Sequence, residues 1–458
     1  MAKINRRQFL RSTSAAALLA STPGLAHSQM IGGSGPFTDY KALVCVFLFG
    51  GNDSFNMLVP TSQVEYDAYL ASRQNLAIPQ NTLLPINPLL GAEQMDFGLH
   101  PDMTGIRDLF EDGKAAFLAN VGPLVEPTTR DQFINGSVAL PPQLFSHNDQ
   151  QDQWHSLKGN ATSKTGWAGR VADLLDADLD GQQMATNASL FGTSLFQSAD
   201  ETVAYVMGPA GPVPFLGFST EPGNILYEHR QTFERILGAQ HGTVYERAFA
   251  DVQQRALAAA DTVSAAIAAA PTFDGIFPTP QEGRTQLETQ LRTVAQLIAM
   301  QGELQMQRQV FFVAAGGFDT HDNQVEDQPN LLGDVSKSLA EFYQAMVSIG
   351  MAQDVTAFTA SDFGRTLTSN GDGTDHAWGG HALVVGEGVA GQSIYGDYPV
   401  PVIGHELDVG GGRFIPTTSA DQYAATLARW FGVGEIDLDV VAPNLANFGA
   451  NRDLGFML

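Results

Sequence analysis

Between Val355 and Gly386 the chain reads VTAFTASDFGRTLTSNGDGTDHAWGGHALVVG, which places Asp362, Arg365, Asp372, Asp375, His376 and His381 in one loop between two apolar runs. Imidazole nitrogen and carboxylate oxygen are the usual donors to zinc and manganese, and a loop pinned between buried strands is a rigid place to gather them. Three other stretches carry similar residue types. Gly316-Gly317-Phe318-Asp319-Thr320-His321-Asp322 follows the β-prone run Val310 to Ala315. Asp53 follows the apolar run ALVCVFLF and the turn glycines Gly50 and Gly51. FSHNDQQDQW, from Phe145 to Trp154, contains Ser146. That serine is either the cap of a helix beginning near His147 or a nucleophile whose oxygen lies on a metal at a helix N-terminus. Asp53 taken alone is equally well explained as an Asx-turn. Together, Asp53, Asp319, His321, Asp362, Asp375, His376 and His381 offer donors for one or two divalent ions (zinc, manganese or calcium), which would polarise an ester oxygen and ionise a nucleophile at neutral pH.

Donors so far apart in the polypeptide can meet only if the strands before them lie side by side and run the same way. Ala42 to Phe49 is apolar throughout, as expected of a parallel strand covered on both faces, and Ala115 to Val121 makes a second such run. Leu287, Leu291, Val294 and Ile298 form a helical stripe before Val310, and Leu332, Val335, Leu339, Phe342 and Met346 form another before Val355. Helix, strand and acidic loop, twice over, is the rhythm of parallel β/α units, and it puts each loop at one edge of the sheet. The expected fold is therefore α/β: a three-layer α/β/α sandwich with a mostly parallel central sheet. Residues 176–282 change character, with Gly208-Pro209-Ala210-Gly211-Pro212 and an Ala-rich helix from Tyr245 to Ala270, and read as a helical insertion outside the sheet. A terminal helix is expected from about Ala420 to Phe431.

With 458 residues, 44% of them hydrophobic, the chain can bury a large core. Its formal charge is -25; the first 26 residues hold Lys3, Arg6, Arg7 and Arg11 and no acid, so removing those four cations leaves -29. Such a surplus of acid repels phosphate backbones and anionic lipid, which argues against nucleic acid as a partner. The single cysteine, Cys45, cannot form an intrachain disulfide and sits in an apolar run, as a buried thiol would. Asn5-Arg6-Arg7-Gln8-Phe9-Leu10, the Ala/Ser-rich segment after it and Gly24-Leu25-Ala26 have the pattern of a twin-arginine export signal. The expected organisation is a signal at 1–26, a leader at 27–39 and one domain over 40–458, in a periplasmic or secreted protein. No later run approaches the roughly 18 apolar residues that span a bilayer.

The strand ending in GGND, the FSHNDQQDQW segment, GGFDTHDNQ and TASDFGRTLTSNGDGTDHAWGGHALVVG occur in that order and resemble the DUF1501 family of exported bacterial proteins, over nearly all of residues 40–450. That family in turn looks like a distant branch of the alkaline phosphatase and sulfatase superfamily. The resemblance implies an alkaline phosphatase-like sandwich and metal-ligand roles for Asp53, Asp319, His321, Asp362 and His376. It also makes Ser146 the equivalent of the superfamily's Ser/Thr nucleophile. Arg365 would then pair an anionic oxygen bidentately. Two departures stand out: Asp362 is followed by Phe363-Gly364 where the superfamily commonly has a histidine, so His376 or His381 must replace that ligand, and only Thr320 separates Asp319 from His321. The implied activity is hydrolysis of small anionic sulfate or phosphate esters. The competing expectation is a secreted binding or assembly protein that keeps the sandwich without turnover, working beside another exported protein.

Overall fold

The computed structural model of the protein describes residues 37–91, 95–159, 163–179, 181–213, 215 and 217–458. The signal read at residues 1–26 and the leader up to residue 36 lie outside the described residues. Nine strands form the central sheet: β1 (Lys41–Leu48), β2 (Ala115–Gly122), β3 (Asn187–Ser189), β4 (Tyr205–Val206), β5 (Arg308–Ala315), β6 (Val355–Ser361), β7 (Gly380–Val385), β8 (Ser393–Tyr395) and β9 (Thr418–Ser419). Their order in space is β8-β2-β7-β6-β1-β5-β3-β4, with β9 beside β2. β1 pairs in parallel with β5 on one side and β6 on the other, and its last residue, Leu48, stands level with Ala315 and Ser361. Three strands thus end at one height, and the loops after them open at one edge, as the β/α rhythm requires.

β7 alone runs against its neighbours, pairing antiparallel with both β6 and β2, while the other sheet pairings are parallel. A parallel return needs a long crossover, usually a helix. The chain between β6 and β7 instead builds a two-stranded ribbon, Arg365–Ser369 against Thr374–His376, and comes straight back.

Two helical layers cover the sheet. On one face lie α1 (Thr104–Glu111), α5 (Gln286–Ala299) and α6 (Gln324–Ser348); on the other α2 (His147–Ser156), α3 (Trp167–Leu175) and α7 (Ala420–Phe431), while α4 (Val244–Ala269) lies within the expected insertion. Along β1 the side chains alternate: Val44 and Val46 meet the core formed with Phe110, Leu291 and Phe342, whereas Leu43, Cys45 and Phe47 meet the core formed with Trp154, Val171 and Leu427. Each large apolar side chain so buried contributes roughly 1.5–3 kcal/mol. Burial also pushes the Cys45 thiol above its ordinary range, consistent with a packing residue. The α/β class and mostly parallel sheet match the sequence expectation. The stretch 176–282 differs from it, because β3 and β4 fall inside that range and extend the sheet at one edge. Three or fewer residues each, they are too short for a hydrophobic period to mark them.

Candidate metal centre

Three donor atoms converge at the edge where β5 and β6 end: His147 Nε2, Asp319 Oδ1 and His376 Nε2 all lie within 4.8 Å of one another. His147 Nε2 is 3.5 Å and His376 Nε2 3.4 Å from Asp319 Oδ1. In a tetrahedral zinc site with bonds of about 2.0–2.1 Å, neighbouring donors are roughly 3.3 Å apart, so these separations fit one small ion. His321 Nε2 stands 3.1 Å from Asp319 Oδ1 and 2.9 Å from His376 Nε2, beside the mutually close trio but not part of it.

Each residue arrives from a different element. Asp319 and His321 follow β5, and His376 ends the ribbon, where it is the register partner of Arg365. The ribbon rests directly on the β5 loop: Thr374 N donates to Thr320 O at 3.0 Å, Gln324 N to Asp372 O at 3.0 Å and Asn370 Nδ2 to His321 O at 3.0 Å. Gly373 permits that approach, since a Cβ there would stand 2.2 Å from the His321 carbonyl oxygen. His147 is the first residue of α2. The start of that helix is closed by Gln150, whose side chain accepts from Phe145 N at 2.6 Å.

Protein groups tie the far nitrogen of both rings. His376 Nδ1 lies 2.7 Å from the Phe145 carbonyl oxygen, which can only accept, so that nitrogen carries the proton and Nε2 presents a lone pair. His147 Nδ1 lies 2.6 Å from Asp362 Oδ2, which also accepts from Gln151 Nε2 at 2.9 Å. A metal-ligating histidine is normally oriented by such partners. Burial holds His376 below the ordinary imidazole pKa; the Phe145 carbonyl pulls upward, while His147 and Arg365 add to the lowering. Asp319 is held below the usual carboxylate range: burial works to raise it, but the hydrogen bond and charge of Arg365, with His147 and His321, outweigh it.

The other residues singled out in the sequence divide into two groups. Asp375 stands at the mouth, 3.4 Å from His321 Nδ1. Ser146 is half-buried beside His147; although it is the N-cap residue, its side chain makes no cap bond and donates instead to Asp149 Oδ2 at 2.6 Å. Asp362 is buried behind the His147 ring, on Nδ1 and not on the nitrogen that faces Asp319. Arg365 lies buried beneath the cluster. It pairs with Asp319 and donates to the carbonyl oxygens of Gly50, Gly51, Phe318 and Thr374, so the guanidinium expected to meet a substrate faces the protein's own backbone. Burial lowers its pKa, opposed chiefly by the hydrogen bond and charge of Asp319 and also by the charges of Asp53 and Asp362. Asp53 is not among the converging donors. It is sealed by Arg73 and Gln324 in an internal pair. His381 is also apart from them. Its Nδ1 accepts from Asn120 N at 3.1 Å, its ring packs against Tyr398 and Phe55, and burial pushes its pKa down to about 3.

His147 is the donor that the sequence reading passed over, although it adjoins Ser146 in a segment already singled out. Its position at the first turn of α2 was legible; that its ring would turn toward Asp319 was not, because Asp362, which turns it, is 215 residues away.

Fold and site together define a three-layer α/β protein with a candidate metal centre at the carboxyl ends of its parallel strands. The chain belongs to the family described as "Protein of unknown function (DUF1501)", whose profile matches residues 40–405. No curated protein matches it. Among solved structures it is similar to the lipoteichoic acid synthase LtaP from Listeria monocytogenes, at 8% identity and a TM-score of 0.37 over 87% of this chain and 73% of that one. It is also similar to Ps i-CgsB in complex with k-i-k-neocarrahexaose, at 9% identity and a TM-score of 0.36 over 90% of this chain and 77% of that one. Likenesses this distant assign no chemistry to the chain. Among the described residues no helix is long and apolar enough to cross a membrane.

Proposed function

We propose that this chain is an exported, metal-dependent hydrolase of sulfate or phosphate esters with Ser146 as its nucleophile. The observation that carries the reading is the convergence of His147, Asp319 and His376, each ring with its outer nitrogen already tied. These three would hold the ion, with His321 and Asp375 beside them. Two imidazoles and a carboxylate suit zinc or manganese better than calcium, which prefers six or more oxygens. When bound, such an ion supplies positive charge for the ester oxygen and for an ionised serine.

The chain's own groups do the rest. Asp362 and the Phe145 carbonyl fix the two imidazole tautomers, and Arg365 fixes Asp319. Asp149 takes the Ser146 proton as Oγ forms a bond to phosphorus or sulfur; the ester P–O or S–O bond breaks, and that proton goes to the departing alkoxide. Water then releases phosphate or sulfate from the serine. Export rests on the twin-arginine pattern at Arg6-Arg7.

One observation favours the alternative of a secreted binding or assembly protein: Arg365 already pairs with Asp319, the only carboxylate of the trio. Zinc titration of the chelator-treated mature chain, followed by assay of the loaded protein on aryl sulfate and aryl phosphate, separates the two. Stoichiometric zinc with turnover that vanishes in Ser146→Ala is expected. Zinc uptake with no turnover on either ester would leave the binding reading, and no uptake would end the proposal.

A further inference from the structure

The helix Ile225–Leu237 and α4 form a hairpin, held together by Leu237, Ala250 and Leu257 with Phe218 and Phe233 and by Arg230, which pairs with Glu234 and Asp261. Among the described residues another face of α4 is left uncovered. Tyr245 is 84% exposed, Phe249 59% and Val252 52%. They stand at i, i+4 and i+7, and half-buried Ala256 continues the row at i+11, which is the spacing of a helix-pairing seam. Isolated apolar side chains on a surface are ordinary, but an aligned row marks a contact.

The charge around this row is unlike that of the chain as a whole. From residue 225 to 255, Arg230, Arg235, Arg247 and Arg255 balance Glu228, Glu234, Glu246 and Asp251, whereas the full sequence carries -25. Two copies repel one another over most of their surface and least here. An anionic membrane would require a surplus of cations that the segment lacks.

We infer that α4 is the self-association surface: two copies pair α4 antiparallel about a two-fold axis level with Ala250 and Asp251. In that register Tyr245 faces Ala256 of the other copy, the largest side chain of the row against the smallest, and Phe249 faces Val252. Glu246 falls opposite Arg255, and symmetry repeats every pairing. Glu246 and Arg255 are both exposed, flanking the row as charged residues flank a coiled-coil seam. The seam is short against the roughly 1,600 Å² buried in a typical stable complex, so the dimer should be of micromolar strength.

Sedimentation velocity of the mature chain, from low to high micromolar concentration, tests this. Wild type is expected to move from monomer to dimer, and Phe249→Glu, on the exposed face, to weaken the dimer by about tenfold or more while keeping its far-ultraviolet circular dichroism. Because Glu246 also closes the capping box with Thr243, the decisive arm is a charge exchange. Glu246→Arg and Arg255→Glu each weaken the dimer, and the double exchange restores it. A wild type that stays monomeric throughout overturns the inference. So does a dimer indifferent to Phe249→Glu, a double exchange that fails to restore pairing, or flotation of wild type, but not Phe249→Glu, with neutral phosphatidylcholine vesicles.

Discussion

Asp53 and Asp319 occupy matching places on neighbouring strands: β1 runs into Gly50-Gly51-Asn52-Asp53 and β5 into Gly316-Gly317-Phe318-Asp319. Each acid is reached by an arginine, Arg73 in one case and Arg365 in the other. Their surroundings are nonetheless opposite. The Asp319 side chain is 47% exposed and meets three imidazoles, whereas the Asp53 side chain is 1% exposed and its carboxylate is held by Arg73 and Gln324. The strand-end turn therefore sets where an acid stands, and side chains arriving from elsewhere set what it does. Histidines follow the same division: His376 keeps a lone pair turned to the mouth, while His381, a few residues on, is closed into the core.

Four measurements test this contrast. The largest effect is expected from His147→Ala combined with His376→Ala, which should abolish stoichiometric zinc uptake in calorimetry, while Asp53→Asn should retain it; loss of zinc in Asp53→Asn with unchanged stability would reverse the assignment of the two acids. Second, Asp53→Ala leaves Arg73 buried without its partner and should cost about 3–5 kcal/mol in chemical denaturation. Third, Asp362→Asn keeps the volume behind His147 but loses the carboxylate, and zinc affinity should fall about 10–100-fold with the fold intact.

The fourth concerns an acid buried away from the mouth. Burial pushes Asp421 up to about 7, although bonds from Asn444 and the charge of Arg170 oppose it. The folded chain then keeps a proton that the unfolded chain has released between about pH 4 and 7, so this residue makes stability fall as pH rises through that window. Asp421→Asn should flatten the slope, by no more than about 1.4 kcal/mol per pH unit, in denaturation curves taken across the window. An unchanged slope would show that the carboxyl ionises in the folded protein as it does in the open chain.

Most of the scaffold was legible because its signals are local. The apolar run before Gly50 became β1, the stripes from Leu287 and Leu332 became α5 and α6, and the terminal helix falls at Ala420–Phe431. The antiparallel turn-back of β7, which fills an interior place between β6 and β2, and the short strands β3 and β4, which extend one edge, were not, since both depend on strands distant in sequence. At the site, Asp319, His321 and His376 were readable as donors after strands. The separation of Asp53 and His381 from them, and the arrival of His147, depend on Arg73, Asn120 and Asp362, contacts that no spacing along the chain encodes.

Gly50 has φ near +118°, and a Cβ on it would lie 2.2 Å from the backbone nitrogen of Asp319. Two polypeptide turns thus touch main chain to main chain, and the gap between them is too narrow for a methyl group. The dimensions of the histidine basket are consequently set from below by a residue with no functional group at all. Mutational surveys restricted to polar positions would miss it, and Gly50→Ala is expected to weaken zinc uptake in calorimetry although every candidate donor is left in place.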